Sequence, residues 1–232
     1  MENLGYPDLR AHIAALEEKG LLFRVQRPIN KDTEMHALVR WQFRGGIAES
    51  ERKAFLFENV IDSTGRKFDI PVAVGILASN RDIYSVGIGC EVEHIKAKWD
   101  YAEQHQIEPK IVEDPSCHEI VYEGDALNVP GQGVDGLPIP ISTPGFDNAP
   151  YSSCSMFITK DPDTGKQNIG NYRAMVKSPT RMGMNPEVEL NQGIYDHWLK
   201  YKARGEKMPA ALVLGGPPAV TFTSVHKLPK HL

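Results

Sequence analysis

Apolar residues near the start of the chain recur at helical spacing. Leu9, Ile13 and Leu16 fall on one face, Pro7-Asp8 supplies a turn and an N-cap, and Gly20 is a stop, which predicts a first helix. Leu21–Val25 follows as a strand. A second helix is predicted from about Asp32, with Met35, Leu38, Val39 and Gln42 on one stripe and Gly45-Gly46 closing it. Ala54–Phe57 and Val72–Ile76 are short apolar runs between breakers and read as buried strands. A third helix is expected over Glu91–Gln104, where Val92, Ile95 and Trp99 share a face. Helices alternating with strands predict an α/β layer.

The pattern changes after residue 108. From Pro109 to Ile158 prolines and glycines crowd together and apolar runs shorten. Strands are expected at Ile111-Val112, Glu119–Tyr122 and Ser155–Ile158. Asp161-Pro-Asp-Thr-Gly165 has the composition of a tight turn, and Gln167–Val176 then reads as a returning strand. A helix is expected over Gln192–Arg204 with Ile194, Trp198 and Tyr201 inward. Ala210–Leu214 and Val220–Thr223 complete the set as strands flanking Gly215-Gly-Pro-Pro218. The second half is thus expected to be antiparallel β structure with one embedded helix.

Composition narrows the function classes. The chain has 232 residues, 41% hydrophobic and 24% charged, an ordinary globular mix. Basic residues number 26 against 30 acidic ones, a net charge of −4, with no basic run to suggest nucleic acid or an anionic membrane surface as partner. Apolar runs such as Pro71–Ala78 are too short to span a bilayer. The first residues lack the basic and apolar regions of a signal peptide, so a cytoplasmic location is expected. Three cysteines, Cys90, Cys117 and Cys154, have no metal-type spacing and argue against a disulfide framework.

Generic catalytic motifs are absent: no Walker A sequence, no G-x-G-x-x-G following a strand, no H-E-x-x-H and no G-x-S-x-G occurs. His12, His94 and His105 lie on predicted helices and are expected on solvated faces. Cys117-His118 are adjacent on a predicted strand and would point to opposite sides. One segment stands apart, Asp161-Pro-Asp-Thr-Gly-Lys-Gln-Asn-Ile-Gly-Asn-Tyr-Arg173. Regular strand alternation puts Asn168, Gly170 and Tyr172 on one face and Ile169, Asn171 and Arg173 on the other. Asn168 offers an amide oxygen to a hard cation, Gly170 permits close backbone approach, and Arg173 offers a planar fork to a carboxylate or phosphate. A polar hairpin strand with an exposed arginine accounts for the same residues.

Blocks of sequence in a fixed order point further. Asp8-Leu-Arg10, Ala15-Leu-Glu-Glu18, Leu22-Phe-Arg-Val25, Phe55–Val60 and Ile70-Pro-Val resemble the opening of the UbiD-type decarboxylases. The resemblance continues through Glu123-Gly-Asp125, Leu137-Pro-Ile-Pro140, Asp161–Lys166, Asn168–Arg173, Gly183-Met184 and Gly215-Gly-Pro-Pro218. Asp-Pro-x-Thr-Gly-Lys-x-Asn-x-x-x-x-Arg is its sharpest member. It implies an α+β fold: an N-terminal α/β domain over residues 1–115, then an incomplete split β-barrel that binds flavin over residues 116–232.

The function it implies is non-oxidative, reversible (de)carboxylation of an aromatic or α,β-unsaturated carboxylic acid, or of an aromatic thioester. The cofactor would be prenylated FMN, whose extra ring becomes an azomethine ylide that holds the electrons left after carbon dioxide departs. A divalent metal, usually Mn2+, and K+ would hold its phosphate. By position, Asn168 matches the metal-binding Asn, and Gly170, Asn171 and Tyr172 the stretch along the cofactor. Arg173 matches the catalytic Arg that holds the substrate carboxylate; Met184 falls where an apolar side chain meets the flavin. Thr223 and Ser224 fall where hydroxyls line the cofactor site, although such hydroxyls often cap local backbone. Asn168 and Arg173 are thereby expected to converge on one cavity.

Two departures stand out. Asn191 occupies the position of the family's metal-ligating His, and the chain stops before the metal-binding Glu and the two catalytic Glu residues. Phe146–Tyr151 replaces the family's Gly- and His-containing loop. The expectation is therefore an N-terminal portion of a decarboxylase, acting as a homo-oligomer or completed by a second chain. A non-catalytic flavin-binding or accessory subunit is the alternative, and a reductase using ordinary FMN ranks last.

Overall fold

The computed structural model describes residues 5–187, 189–190 and 192–227. Its first helix, α1 (Leu9–Glu18), is capped by Asp8, whose Oδ1 accepts from Ala11 N at 2.8 Å. Its buried face carries His12 and Leu16, and Gly20 turns the chain in the left-handed region at φ 65°. Six strands then build two small sheets. In one, β1 (Leu22–Val25) runs parallel to β3 (Ala54–Phe57), which pairs antiparallel with β6 (Val72–Val74). In the other, β2 (Ile29–Asn30) lies parallel to β4 (Val60–Ile61), and β4 pairs with β5 (Lys67–Phe68).

Helix α2 (Met35–Arg44) covers the sheets with Met35 and Val39, which join Val25, Ile29, Phe57, Val60 and Phe68 in one core. Gln42 is buried on the same stripe because its amide imitates a strand neighbour. It donates to Lys53 O at 2.9 Å and accepts from Lys53 N at 2.8 Å. Leu38, expected on that stripe, is exposed.

Between β6 and the helix predicted over Glu91–Gln104 lies an unanticipated helix, α3 (Arg81–Ile88). Asn80 caps it through Ile83 N at 2.7 Å, and Gly89 ends it at φ 76°. Gly87 inside the run masks the helical pattern in the sequence. The expected third helix starts later, as α4 (Ile95–Gln104), after a short 3₁₀ turn over Val92–His94.

From residue 105 to 150 the chain forms no strand and makes only 3₁₀ turns. The strands expected at Ile111-Val112 and Glu119–Tyr122 do not form. No neighbouring strand among the described residues offers them backbone partners, and Ile111 is 99% exposed. Cys117-His118 lies in a 3₁₀ turn, and all three cysteines are free.

The second half holds two further three-stranded antiparallel sheets. One orders β11 (Arg181–Met184), β10 (Ala174–Ser178) and β7 (Tyr151–Ser152). The other orders β12 (Ala210–Val213), β8 (Met156–Lys160) and β9 (Gln167–Asn171). Among the described residues these sheets do not close into a barrel. The returning strand expected over Gln167–Val176 is broken at Tyr172-Arg173, so β9 and β10 belong to different sheets.

Helix α5 (Gly193–Ala203) packs on the β8–β9 hairpin. It buries Ile194 and His197, whereas Trp198, expected inward, is exposed under Lys202. The run Val220–Thr223 is helical rather than extended, as part of α6 (Pro218–Thr223). Pro218 sits in its first turn, where the missing N–H costs nothing. The β-branched Thr221 and Thr223 send their hydroxyls back to Pro217 O and Ala219 O. Helix α6 docks Phe222 against α3. Phe222 meets the Tyr84 ring edge-on at 4.8 Å, and a methyl group on Gly87 would lie only 3.0 Å from it.

Candidate functional site

The singled-out segment forms the β8–β9 hairpin and the break that follows it. Its turn is built as the composition predicts: Asp161 N donates to Lys166 O at 2.9 Å, Gly165 takes φ 75°, and Asp161 Oδ1 accepts from Asp163 N at 2.8 Å. Helix α5 clamps it. Lys200 Nζ donates to Asp161 Oδ2 at 2.6 Å and Arg204 pairs with Asp163. The hydrogen bond from Lys200 is the main cause that holds the Asp161 carboxyl down at about 2.

Asn168 sits opposite Thr159 in the ladder, and its amide lies over the start of α5. A methyl group at Gly193 would approach its Oδ1 to 2.3 Å, so only glycine lets the amide lie there. Asn168 Nδ2 is buried without a hydrogen-bond partner. Gly170 is covered by Tyr172: a methyl group at 170 would fall 2.3 Å from the phenol oxygen. Tyr172 is buried, and its N–H donates to Ser155 O at 3.0 Å. Asn171 acts as a brace, since its Oδ1 accepts from Ser155 N at 2.9 Å and its N–H donates to Ser224 O at 3.0 Å.

Arg173 leaves the chain at the break. Its side chain is 62% exposed, lies over the Tyr151 ring at 4.6 Å and is 3.9 Å from Asp147 Oδ1. Met184 ends β11 opposite Ala174 and is half-buried. The Thr223 and Ser224 hydroxyls donate to carbonyls of their own helix, Val220 O at 2.9 Å and Thr221 O at 2.7 Å. Asn191 lies outside the described residues.

The structure thus gathers Asn168, Gly170, Asn171, Tyr172 and Ser224 around the hairpin and the end of α6. No hydrogen bond or ion pair among the described residues joins Asn168 to Arg173. Asn168 faces α5, and Arg173 faces the loop before β7. Two hollows are present, neither lined by Asn168 or Arg173. One of about 450 Å³ is bordered by Leu127, Val134, Leu137, Pro179 and Arg181, the other of about 260 Å³ by Ile158, Gln167 and Ala210.

Among the described residues no group of three or more His, Cys, Asp or Glu side chains could hold a metal ion. The donor set here therefore does not fit Mn2+ on its own. For a flavin the one favourable feature is Asn168 Nδ2, a buried donor with no hydrogen-bond partner among the described residues, whereas Gly170, expected to permit close approach, is closed off by the Tyr172 ring.

Two partners of Arg173, Asp147 and Tyr151, were not legible as such, since each is separated from it by a run of loop and strand. His12 also departs from expectation. It is fully buried, with Nε2 donating to Ile76 O at 2.7 Å, and burial lowers its pKa. His94 and His105 are exposed, as expected.

Comparison with known proteins gives independent findings. The model of the 3-octaprenyl-4-hydroxybenzoate carboxy-lyase N-terminal domain matches residues 13–97. Among solved structures, an evolved dimeric form of the UbiD-class enzyme HmfF from Pelotomaculum thermopropionicum, in complex with prFMN, superposes with TM-score 0.75 at 24% identity. It covers 96% of this chain and 48% of its own. The closed form of Sedimentibacter hydroxybenzoicus vanillic acid decarboxylase gives TM-score 0.77 at 24% identity, covering 95% and 45%. The apo 3,4-dihydroxybenzoic acid decarboxylase from Enterobacter cloacae gives 0.79 at 20%, covering 97% and 45%. The chain thus spans less than half the length of these proteins, and the likeness is one of fold. No helix among the described residues is long and apolar enough to cross a membrane. The model of the 3-octaprenyl-4-hydroxybenzoate carboxy-lyase Rift-related domain matches residues 110–232, more than half of the chain, and the chain accordingly belongs to the UbiD family.

Proposed function

We propose that this chain supplies the flavin-facing and carboxylate-facing wall of a UbiD-type carboxy-lyase acting on an aromatic or α,β-unsaturated carboxylic acid. The observation that carries the reading is the β8–β9 hairpin, which puts a buried, unsatisfied amide at Asn168 and an open guanidinium at Arg173 on one short segment. Residues 1–115 would form the N-terminal α/β domain and residues 116–232 the flavin-binding part.

Prenylated FMN, when bound, supplies the electron sink for the carbon–carbon bond that breaks as carbon dioxide leaves. The chain's own residues bind and orient. Arg173 has a planar fork with donors free on its exposed edge, suited to two parallel hydrogen bonds to a substrate carboxylate. Asn168 presents its amide to the cofactor phosphate or a cation beside it, the cation's other ligands coming from beyond the described residues. Tyr172, Gly170 and Asn171 form the wall along the ring, and Met184 offers an apolar contact. Thr223 and Ser224 keep lone pairs free, but their protons are committed to helix carbonyls. Mn2+ and K+ remain part of this proposal, as do a second copy or a companion chain that completes the site.

The carboxylate beside Arg173, Asp147, is its ion-pair partner, so the proton that replaces carbon dioxide is assigned to a donor outside the described residues. The test is to purify the chain with the modified flavin and measure bound-flavin absorbance and carbon dioxide release, alone and with the remaining half of a relative co-expressed. Flavin binding by the chain and release only in the complemented sample are expected. In that sample Arg173→Gln should lower release roughly 10²-fold or more while flavin stays bound. Robust turnover by the chain alone would overturn the assigned roles. Flavin bound with no release in any complemented sample would favour the accessory-subunit reading.

A further inference from the structure

The break between β9 and β10 leaves Arg173 to be held by something other than its own strand. Its two contacts come from one loop, residues 139–151: the Tyr151 ring at 4.6 Å and Asp147 Oδ1 at 3.9 Å. The other oxygen of Asp147 is already taken, accepting from Thr143 N at 2.9 Å, so its carboxylate is fixed by the loop before it meets the guanidinium. Tyr151 is fixed too, by its place in β7 opposite Met175 and by its N–H to Pro140 O at 3.1 Å.

The loop in turn is fastened from the first half of the chain by two cations. Lys31 Nζ, buried, donates to Ile139 O at 2.9 Å and to Asp32 Oδ1 at 2.6 Å. Arg40 Nη2, on α2, donates to Ser142 O at 3.0 Å and Thr143 Oγ1 at 3.2 Å. His36 lies one turn earlier on α2 and senses the same charges: after burial itself, Arg40 lowers its pKa and Asp147 raises it.

We propose that Asp147 and Tyr151 are positioning residues for Arg173, and that Arg40 fixes them by anchoring the loop to α2. Stacking on a ring sets the plane of a guanidinium, and a single carboxylate oxygen on one side sets its rotation. Neither contact saturates the donors, and the exposed edge stays open to a ligand carboxylate. The functional meaning of the tether rests on the reading of Arg173 given above; the tether itself concerns only residues of this chain.

The test is the side-chain Nε–Hε signal of Arg173 in chain labelled with 15N-arginine, assigned by its loss in Arg173→Lys. In the unaltered chain the signal is expected upfield of those of exposed arginines, shielded by the ring. Tyr151→Leu should return it to the exposed group, and Tyr151→Phe should leave it in place. Asp147→Asn should reduce the upfield shift, and Arg40→Gln should do the same without touching Arg173. Should Asp147→Asn fail to fold, the Tyr151 pair still decides. An Arg173 signal that coincides with exposed arginines from the start, or that ignores both Tyr151→Leu and Asp147→Asn, overturns the tether; indifference to Arg40→Gln overturns the anchoring by α2. Neither flavin nor turnover enters this readout. Loss of carbon dioxide release with the tether intact would count against the functional proposal alone.

Discussion

Gly170 and Tyr172 show how a single missing methyl group shapes the wall of the candidate site. The Tyr172 ring occupies the space above Gly170, so an alanine there must displace a buried ring rather than a flexible tip. Gly170→Ala is expected to cost about 1–3 kcal/mol by chemical denaturation. The cost should largely vanish in a Tyr172→Leu background, which a double-mutant cycle reads directly. His12 makes a second case. Burial depresses its folded pKa below the ordinary 6.5, so the folded chain binds fewer protons than the unfolded one. Its contribution is present above that value and is lost as pH falls below it; His36 and His197, also depressed by burial, add in the same direction. The thermal midpoint should therefore fall with pH below about 6.5, and His12→Gln should flatten that slope in scans at stepped pH. Alternation put Asn168, Gly170 and Tyr172 on one strand face, but β9 ends at Asn171 and Tyr172 folds back over Gly170 instead. Sequence could not show that His12 is buried, because a single imidazole on an amphipathic helix looks the same whether the sheet beyond it is present or not.

At the scale of elements, local signals sufficed where a cap or a turn residue fixed the backbone and failed where a neighbour decided. Helix α1, the β8–β9 turn and α5 carry their stops and turns in their own residues, and each was legible. Helix α6 was not, since Val220-Thr-Phe-Thr223 has strand composition and becomes helical only because two prolines precede it and α3 receives Phe222. Phe222→Ala is expected to cost about 3–5 kcal/mol, measured by denaturant unfolding, through loss of its packing on Tyr84 and Gly87. The clamp of α5 on the hairpin turn is electrostatic and exposed. Lys200→Met should let the Asp161 carboxyl, held at about 2, rise toward its ordinary 3.8 in a carboxyl NMR titration. Because the depressed pKa favours the folded state above 3.8 and that contribution fades as pH falls toward about 2, any loss of stability in Lys200→Met should be seen near neutrality, small for so exposed a pair, and should vanish in acid.

At the scale of the whole molecule, four small sheets and six helices share one chain without forming a closed barrel among the described residues. The family assignment was legible because ordered blocks of turn and strand residues survive dilution by loops. The open arrangement was not, since strand propensity at Ile120-Val121-Tyr122 says nothing about whether a partner strand exists. Those side chains stand exposed, and an apolar, β-branched run of this kind invites association between copies. Val121→Lys is expected to raise the concentration at which the chain stays monomeric in light scattering, leaving its thermal midpoint within a degree or so. The seat of Phe222 on α3 has a consequence for synthesis. The Tyr84 and Gly87 face of α3 is laid down early but stays uncovered until residue 222 leaves the ribosome, long after the rest of that helix can pack against α1. Stalling the ribosome ahead of that residue would leave Tyr84 open to protease or chaperone, and release past it would close the gap.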